Sequence, residues 1–243
     1  MKILVTGGGT IAPIDDVRHV ANFSTGRFAA QITEAWLALG HDVWHLATPA
    51  AARPVQREAV VDLDAEPDRE RARIDDLRRR WLDCRYRLHA RPIVSGEVDE
   101  YAATLRETLG RVPIDAAFLA AAVSDFAPER TPGKIASADG GRSIRCRPTP
   151  KVIRSARDWS PSTYLVGFKL LSGATIADLI AAAEAANVAN RADLTVANDF
   201  REVVAGRHRL HLVRPGKAVE TLDPGPDLAA RLVARVGRWL EDR

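Results

Sequence analysis

The sequence predicts an α/β fold built on a doubly wound, mostly parallel β-sheet with helices on both faces. Short apolar runs suited to buried strands occur around Leu4 and at residues 43–46 and 116–122. Segments with helical spacing of apolar residues separate these runs, and this alternation is typical of βαβ units. Two further apolar runs, at residues 164–168 and 194–196, continue the pattern. The expected architecture is therefore Rossmann-like.

The first strand leads into a glycine-rich loop of Gly7, Gly8 and Gly9, followed by Thr10. Glycine takes positive φ without a steric penalty, and successive backbone N–H groups in such a loop can surround an anion. We therefore predict that these four residues contact a phosphate-bearing ligand. Glycines also occur in ordinary tight turns, so this prediction depends on the length and residue content of the next segment of the chain.

The connection from this loop to the first helix is long. Pro13 interrupts it, and helical spacing of apolar residues is convincing only from Phe28 to the stop at Gly40. Loops of this length in compact domains usually have a function. This one holds side chains that can bind a carboxylate, a phosphate or an amide, namely Asp15, Arg18, Asn22, Ser24 and Thr25, and it ends at Gly26.

Two segments interrupt the alternation of strands and helices. Residues 62–91 are rich in Arg, Asp and Glu, and they predict either a solvated charged helix with an irregular connection or an insertion that contacts a second subunit or covers a ligand. Residues 128–150 predict a β-hairpin flap with a turn at Gly140 and Gly141. That flap would present Lys134, whose ammonium could neutralise a phosphate, although a lysine in such a position, taken alone, is more often free in solvent.

The later strands, followed by helical patterns at residues 176–186 and 228–240, end in residues suited to ligand binding. Ligands bind beyond the carboxyl ends of parallel strands. Asp125 could accept hydrogen bonds from a ribose or a base amino group, and the alternative is a helix cap or a loop carboxylate. Phe168 could stack on a planar base or belong to the core. The candidates for nucleotide binding at these ends are Ala122, Ser124, Asp125, Phe168 and Lys169.

Composition narrows the class of protein. The 243 residues include 46% hydrophobic and 28% charged residues, which describe a globular chain with one substantial core. A formal net charge of +3 suits an anionic small molecule, and helix-turn-helix, zinc-finger and basic aromatic patterns are missing, so we expect no nucleic-acid partner. Cys84 and Cys146 fit neither a disulfide framework nor a metal site, and no apolar run approaches the roughly 20 residues that span a bilayer. We expect a cytoplasmic protein with no membrane contact and no metal-binding side-chain cluster.

Several motifs, taken in order, resemble those of the phosphopantothenate–cysteine ligase family in its stand-alone form. They lie at residues 5–10, 13–15, 17–18, 22–26, 40–41, 121–125, 134–135, 149–151, 167–169 and 197–198. The resemblance runs through most of the chain and implies a single ligase domain over residues 1–243. It implies a two-step reaction of coenzyme A biosynthesis, in which 4′-phosphopantothenate becomes an acyl-nucleotide, with release of pyrophosphate, and is then joined to L-cysteine with release of a nucleoside monophosphate.

The resemblance also implies roles for individual residues. Asn22 would hold the acyl intermediate, and Lys134 would contact the triphosphate in the first step. Asp125 and Phe168 would bind the nucleotide. Mg²⁺ would accompany the nucleoside triphosphate, with CTP favoured over ATP, and the dimers of the family imply a homodimer.

Three departures from the family pattern leave questions open. Thr25 replaces a serine and keeps a hydroxyl, and Ala29 stands where many members have glycine. The lysines that bacterial members carry before the Ala-Asn strand end are missing, so Arg191 is the candidate nucleotide-binding cation there, with Lys169 as a substitute from the neighbouring strand. The choice between CTP and ATP stays open, and so does the choice between cysteine and another amine as acyl acceptor.

Two other functions compete with this one. Residues 7–12 formally fit the glycine motif of a nicotinamide-dependent Rossmann reductase. However, Pro13 falls where the helix of such an enzyme would be under way, and the second strand ends near Ala47 without an acidic residue for the ribose. A non-catalytic nucleotide-binding relative is the other alternative, and the retained asparagine, aspartate and flap lysine argue against it.

Overall fold

The computed structural model describes residues 1–136 and 143–243 and confirms the predicted α/β architecture. The strands in these ranges are β1 (Lys2–Gly7), β2 (Ile11–Pro13), β3 (His19–Ala21), β4 (Asp42–Ala47), β5 (Leu88–Pro92), β6 (Ala116–Leu119), β7 (Phe126–Pro128), β8 (Cys146–Pro148), β9 (Tyr164–Leu171), β10 (Leu194–Asp199), β11 (Leu210–Val213) and β12 (Glu220–Leu222). The helices are α1 (Arg27–Ala38), α2 (Pro67–Cys84), α3 (Val98–Arg111), α4 (Val152–Trp159), α5 (Ile176–Asn190), α6 (Phe200–Val204) and α7 (Leu228–Glu241). Within the two described ranges, no helix combines the length and apolarity needed to cross a membrane.

The central sheet contains eight strands in the order β12-β11-β10-β9-β6-β1-β4-β5. The six strands from β10 to β5 are parallel, whereas β11 and β12 are antiparallel additions at one edge. The chain moves outward from β1 through β4 to β5, then crosses to β6 on the other side of β1 and continues through β9 to β10. The carboxyl ends of β1 and β6 therefore flank the point where the strand order reverses, which is where ligands bind in sheets of this type.

Both faces of the sheet are buried, which explains the continuous apolar runs in the sequence. Ile3 and Val5 pack with Trp36 of α1 on one face, while Leu4 belongs to the cluster on the other face that includes Leu105 of α3. Successive side chains of a strand point to opposite faces, so a strand covered on both sides needs apolar residues at every position.

The charged segment at residues 62–91 forms the predicted helix, but the connection after this helix is regular. α2 begins after Glu66, whose carboxylate accepts hydrogen bonds from the N–H groups of Asp68 and Arg69, and Pro67 occupies the first helical position. The chain then forms β5, which pairs in parallel with β4. The prediction of an irregular connection is therefore wrong, because an edge strand that is largely open to solvent has only a weak apolar pattern.

The two strands at the base of the predicted flap are paired. β7 pairs antiparallel with β8, and Phe126 lies opposite Pro148. The predicted turn at Gly140 and Gly141 lies outside the described residues. The long connection after β1 also folds on itself, since β2 and β3 form a second antiparallel pair that the sequence pattern did not indicate.

Candidate active site

A cavity of about 1040 Å³ opens at the carboxyl edge of the sheet, beside the point where the strand order reverses. The first turn of α4, one side of α5 and the ends of β6 and β9 form its walls. Five residues predicted from the sequence line it, namely Asn22, Ala122, Asp125, Phe168 and Lys169. A concave space with a few converging polar groups is the usual form of a small-molecule site.

A second cavity, of about 610 Å³, lies between α1, α2 and α7. Four of its charged side chains pair with one another, because Arg57 binds Glu34 and Glu58, and Arg80 also binds Glu58. None of the residues predicted for the site line this cavity. We therefore place the functional site at the carboxyl edge of the sheet.

The β2–β3 pair returns the chain to the glycine loop before α1 begins. Gly26, which precedes α1, has a φ of 67°, and Gly8 has a φ of 89°. A Cβ added at Gly8 would lie 2.1 Å from Thr48 Oγ1, and one at Gly26 would lie 2.9 Å from both Ala51 Cβ and Gly8 N. Both positions therefore need glycine for the backbone conformation and for the packing of the two loops. The contacts of the glycine loop with phosphate stay predictions.

Ala29 packs directly over this loop. A Cβ added at Gly7 would lie 2.7 Å from Ala29 Cβ, and Ala29 is buried. One added at Gly9 would lie 2.8 Å from the carbonyl oxygen of Asn22. The methyl group of Ala29 therefore occupies the space above Gly7.

The N-terminus of α1 faces the same edge of the sheet. None of the described side chains caps this helix, because the capping position is Gly26. The first N–H groups of a helix lack intrahelical partners and carry a partial positive charge, so an uncapped N-terminus attracts anions. Ser24 and Thr25 lie next to it, and Arg27 N–H makes only a long contact, 3.4 Å, with Thr25 Oγ1. Their phosphate contacts stay predictions.

Thr10 and Ser124 join the loops that follow β1 and β6. Ser124 N–H donates to Thr10 Oγ1 at 2.9 Å, and the two hydroxyl oxygens lie 3.3 Å apart. Both residues are buried. This geometry favours a structural role for the two side chains over the ligand contacts predicted for them.

Asn22 lies at the cavity, immediately after β3. Its Nδ2 donates a hydrogen bond to the carbonyl oxygen of Ala122 at 3.1 Å, so the structure brings together two predicted site residues from distant parts of the chain. The side chain is otherwise exposed. A side-chain amide has two N–H hydrogens, and one remains to donate to a ligand.

Asp125 forms an ion pair with Lys151, the residue before α4, and both line the cavity. Lys151 was not predicted as a site residue, although it lies in one of the motifs that carry the resemblance. The chain has only five lysines, and three of them are Lys134 of the flap and Lys151 and Lys169 of the cavity wall. Among the charged side chains that line the cavity, Lys151, Lys169 and Arg154 outnumber Asp125, which suits an anionic ligand.

Phe168 lies between the cavity and an aromatic cluster. Its ring meets that of Phe28 edge-on with 6.4 Å between centroids, and Phe28 packs on His208 at 4.7 Å. Asn198 Nδ2 lies 3.2 Å from His208 Nε2, and burial lowers the pKa of His208. Phe168 therefore combines the two predicted roles, since it packs on the core and also lines the cavity.

Asp15 lies against the flap and away from the cavity wall. Its Oδ1 accepts hydrogen bonds from Val17 and Arg18 N–H at 2.9 and 2.8 Å, and its Oδ2 accepts one from Ile135 N–H at 3.1 Å. Burial by itself would raise the pKa of the Asp15 carboxyl, but these hydrogen bonds and the Arg18 charge hold it below its usual value. Both carboxylate oxygens are occupied by hydrogen bonds within the protein, so the geometry does not support the predicted contact of Asp15 with substrate.

Arg18 and Lys134 lie beside Asp15. The Arg18 guanidinium contacts Asp15 Oδ2 at 3.1 Å and donates to the carbonyl oxygen of Ile135, while part of its side chain is exposed. Lys134 is the residue before Ile135 in the flap, and its side chain is exposed. Their contacts with substrate and with triphosphate stay predictions.

Arg191 is placed outside the site. It is the residue after α5, with a φ of 51°, and its guanidinium binds Asp158 at 2.7 Å and the carbonyl oxygen of Arg154 at 3.0 Å. It precedes β10 and therefore lies towards the amino edge of the sheet, while the site is at the carboxyl edge. Arg191 does not line the cavity, although Asn190 directly before it does, and its contact with the nucleotide stays a prediction.

His45 of β4 lies beneath the glycine loop. We expect this residue to make the free energy of unfolding depend on pH. Burial lowers its pKa from 6.5 to about 4, and its Nδ1 lies 2.8 Å from Thr33 Oγ1. The unfolded chain therefore binds a proton at this residue between pH 6.5 and 4 that the folded protein does not bind, so stability falls as the pH falls through this window. At about 1.4 kcal/mol per pKa unit, the contribution lost by pH 4 is roughly 3 kcal/mol. Urea unfolding at several pH values should show this slope in the wild type, and His45→Gln should lack that part of it.

A metal ion would find few protein ligands here. Among residues 1–136 and 143–243, no three His, Cys, Asp or Glu side chains are grouped so that they could hold one. A divalent ion that enters with a nucleotide takes most of its ligands from phosphate oxygens and water. Among the described residues, Asp125 is the acidic side chain that lines the cavity.

The comparison with protein families agrees with this geometry. The family model described as the DNA/pantothenate metabolism flavoprotein C-terminal domain matches residues 1–74 and 93–237. The chain belongs to this family. The unmatched residues 75–92 contain the second half of α2 and β5, so this part of the charged segment is where the chain departs most from the family.

Relatives support the same assignment. The coenzyme A biosynthesis bifunctional protein CoaBC of Thermococcus kodakarensis is 25% identical over 100% of this chain and 49% of its own length, so the chain spans about half of that relative. Phosphopantothenate–cysteine ligase 2 of Oryza sativa subsp. japonica is 28% identical over 88% of this chain and 75% of its own length. The crystal structure of the DNA/pantothenate metabolism flavoprotein from Streptococcus pneumoniae has 26% identity, a TM-score of 0.77, and coverage of 98% of this chain and 99% of that one.

The structure speaks against the reductase alternative. In a dinucleotide-binding Rossmann unit the helix follows the glycines directly. Here the β2–β3 pair intervenes, and α1 begins only at Arg27. β4 ends at Ala47 and is followed by Thr48, so no acidic side chain follows it to bind a ribose.

Proposed function

We propose that this protein is a phosphopantothenate–cysteine ligase that works through an acyl-nucleotide. One observation carries the proposal. Asn22 is hydrogen-bonded to Ala122, and both line one cavity together with Asp125, in a chain that belongs to this family. A carboxylate is a poor acylating agent, so a ligase must first give it a good leaving group. The positive cavity and the uncapped N-terminus of α1 are suited to a substrate that carries phosphate and to a nucleotide.

In the first step, a carboxylate oxygen of 4′-phosphopantothenate attacks the α-phosphorus of the nucleoside triphosphate. The bond between the α-phosphorus and the bridging oxygen breaks, and pyrophosphate leaves with that electron pair. Lys134 carries the charge that would stabilise the triphosphate as negative charge builds up on the leaving group. Mg²⁺, held mainly by the nucleotide itself, would supply positive charge that offsets the charge of the triphosphate, and Asp125 would orient the ribose or base.

In the second step, the amine of cysteine attacks the carbonyl carbon of the acyl-nucleotide. The carbonyl oxygen gains negative charge in the tetrahedral intermediate, and the second N–H of the Asn22 amide would donate to it. The nucleoside monophosphate leaves, the attacking nitrogen loses a proton, and the amide remains. The lone pair of a neutral amine is required, so this step depends on the deprotonated form of cysteine.

Several finer features belong to the same proposal. CTP is favoured over ATP through the resemblance, and cysteine over other amines. A homodimer in the cytoplasm is the expectation that the family supplies. Phe168 and Lys169 of the cavity wall are the side chains that would distinguish the bases.

The test is an assay of the purified protein with 4′-phosphopantothenate, L-cysteine and Mg²⁺, in parallel with CTP, ATP, GTP and UTP. We expect pyrophosphate and the cysteine amide to form in equal amounts, fastest with CTP. A matched incubation with serine in place of cysteine tests the acyl acceptor. Absence of product with every nucleotide would contradict the proposed function, whereas product formed fastest with ATP would correct only the choice of base.

A further inference from the structure

The turn between β2 and β3 is fastened to the flap on both sides of Lys134. Asp15 Oδ2 accepts a hydrogen bond from Ile135 N–H at 3.1 Å. Asp16 Oδ2 accepts one from Gly133 N–H at 3.0 Å, and Asp16 N–H donates to the carbonyl oxygen of Gly133 at 3.1 Å. The residues directly before and after the flap lysine are thus held by two adjacent carboxylates.

Of the two aspartates, Asp15 is the more buried and has the additional hydrogen bonds. Its side chain has 0% exposure, and its other oxygen is held by the N–H groups of Val17 and Arg18. The same turn continues through β3 to Asn22. One folded segment therefore carries Asn22 at its end and holds the flap at its turn.

We propose that Asp15 is a positioning residue that places Lys134 for the first step of the reaction, with Asp16 as a second support. The inference rests on the proposed function, because it assigns Asp15 to one step of that reaction. Fixing the backbone at Gly133 and Ile135 restricts the positions that the lysine ammonium can reach, and catalysis by a charged group depends on such placement. The Asp15 carboxylate, which the sequence suggested as a substrate ligand, thus affects the reaction by holding the flap.

Asp15→Asn breaks the contact with Ile135, and it also removes the charge that pairs with Arg18. The amide oxygen can still accept from Val17 and Arg18 N–H, but the amide NH₂ then faces the N–H of Ile135, and two donors cannot bond. We expect the first step, measured as pyrophosphate release in a single turnover, to slow roughly tenfold to a hundredfold, as the loss of a hydrogen bond to a charged group would give. The second step, started from prepared acyl-nucleotide and cysteine, should keep its rate. Asp75→Asn, on an exposed position of α2, is the matched control and should leave both steps unchanged.

A double-mutant comparison separates positioning from a general structural role. If Asp15 acts through Lys134, then Asp15→Asn should slow the first step no further in a protein that already carries Lys134→Gln. An additional slowing of similar size in the double variant would overturn the proposal, and so would an equal slowing of both steps in the single variant. A wild-type first-step rate in Asp15→Asn would overturn it as well.

Hydrogen exchange provides a readout that needs no activity. The amides of Gly133 and Ile135 should exchange faster in Asp15→Asn than in the wild type, and Asp16→Ala should have the larger effect on Gly133. Unchanged exchange at both amides would contradict the contact itself. If exchange rises but even the wild type forms no cysteine amide, the proposed function fails while the link between the turn and the flap stands.

Discussion

Asn22→Ala is expected to form the acyl-nucleotide and then stall before amide formation. The side-chain amide donates to Ala122 O at 3.1 Å and offers its second hydrogen to the cavity. Loss of one oxyanion donor typically slows a reaction about 10²–10³-fold, and only the second step develops an oxyanion at the acyl carbon. Quenched incubations analysed by mass spectrometry should show the acyl-nucleotide accumulating with one equivalent of pyrophosphate.

The exposure of Asn22 makes this variant a clean test, because its truncation opens no core cavity. Asn22→Asp is the shape-matched companion, and it should also stall because a carboxylate accepts hydrogen bonds and repels an oxyanion. Both variants should keep the thermal stability of the wild type within a few degrees. Normal amide formation by Asn22→Ala would remove this residue from the mechanism.

Lys134→Gln is expected to have the opposite pattern. The first step should slow by about 10²-fold or more, because the neutral amide cannot stabilise the charge that develops on the leaving pyrophosphate. The second step should proceed normally when prepared acyl-nucleotide is supplied together with cysteine. Stopped-flow detection of pyrophosphate measures the first step, and chromatography of the amide measures the second.

Two lysine substitutions complete this comparison. Lys134→Arg keeps the positive charge on a longer, planar group and should restore part of the first-step rate. Lys217→Gln removes the charge of an exposed lysine in the turn between β11 and β12 and should change neither step. An equal loss in the Lys134 and Lys217 variants would mean that overall charge, rather than the flap lysine, supports the reaction.

The central strands were predictable because both faces of the sheet are covered. β1, β4, β6, β9 and β10 all coincide with continuous apolar runs, and burial on both faces requires such runs. α3 went unrecognised although Val98, Tyr101, Leu105 and Leu109 have helical spacing, so that signal was present in the sequence. β11 and β12 are short additions at the sheet edge, and three or four residues give no periodicity to detect.

The site was predictable where the strand order alone determines position. The carboxyl ends of parallel strands meet at one edge, which is why Phe168 and Lys169, in the second half of β9, share a cavity with Asp125 of the loop after β6. Arg191 precedes a parallel strand, so the same rule does not apply to it. The burial of Asp15 against the flap was not predictable, because its partner Ile135 is 120 positions away in the chain. Such contacts depend on how two loops fold against each other.

The most direct test of the central claim traces the oxygen atoms of the acyl substrate. The wild-type protein would convert 4′-phosphopantothenate labelled with ¹⁸O in its carboxylate, in the presence of cysteine, Mg²⁺ and the preferred nucleotide. An acyl-nucleotide route transfers one carboxylate oxygen to the nucleoside monophosphate, because that oxygen forms the new bond to the α-phosphorus. We expect one ¹⁸O in the recovered monophosphate and one in the amide. Label in inorganic phosphate, or a monophosphate free of ¹⁸O, would contradict the mechanism.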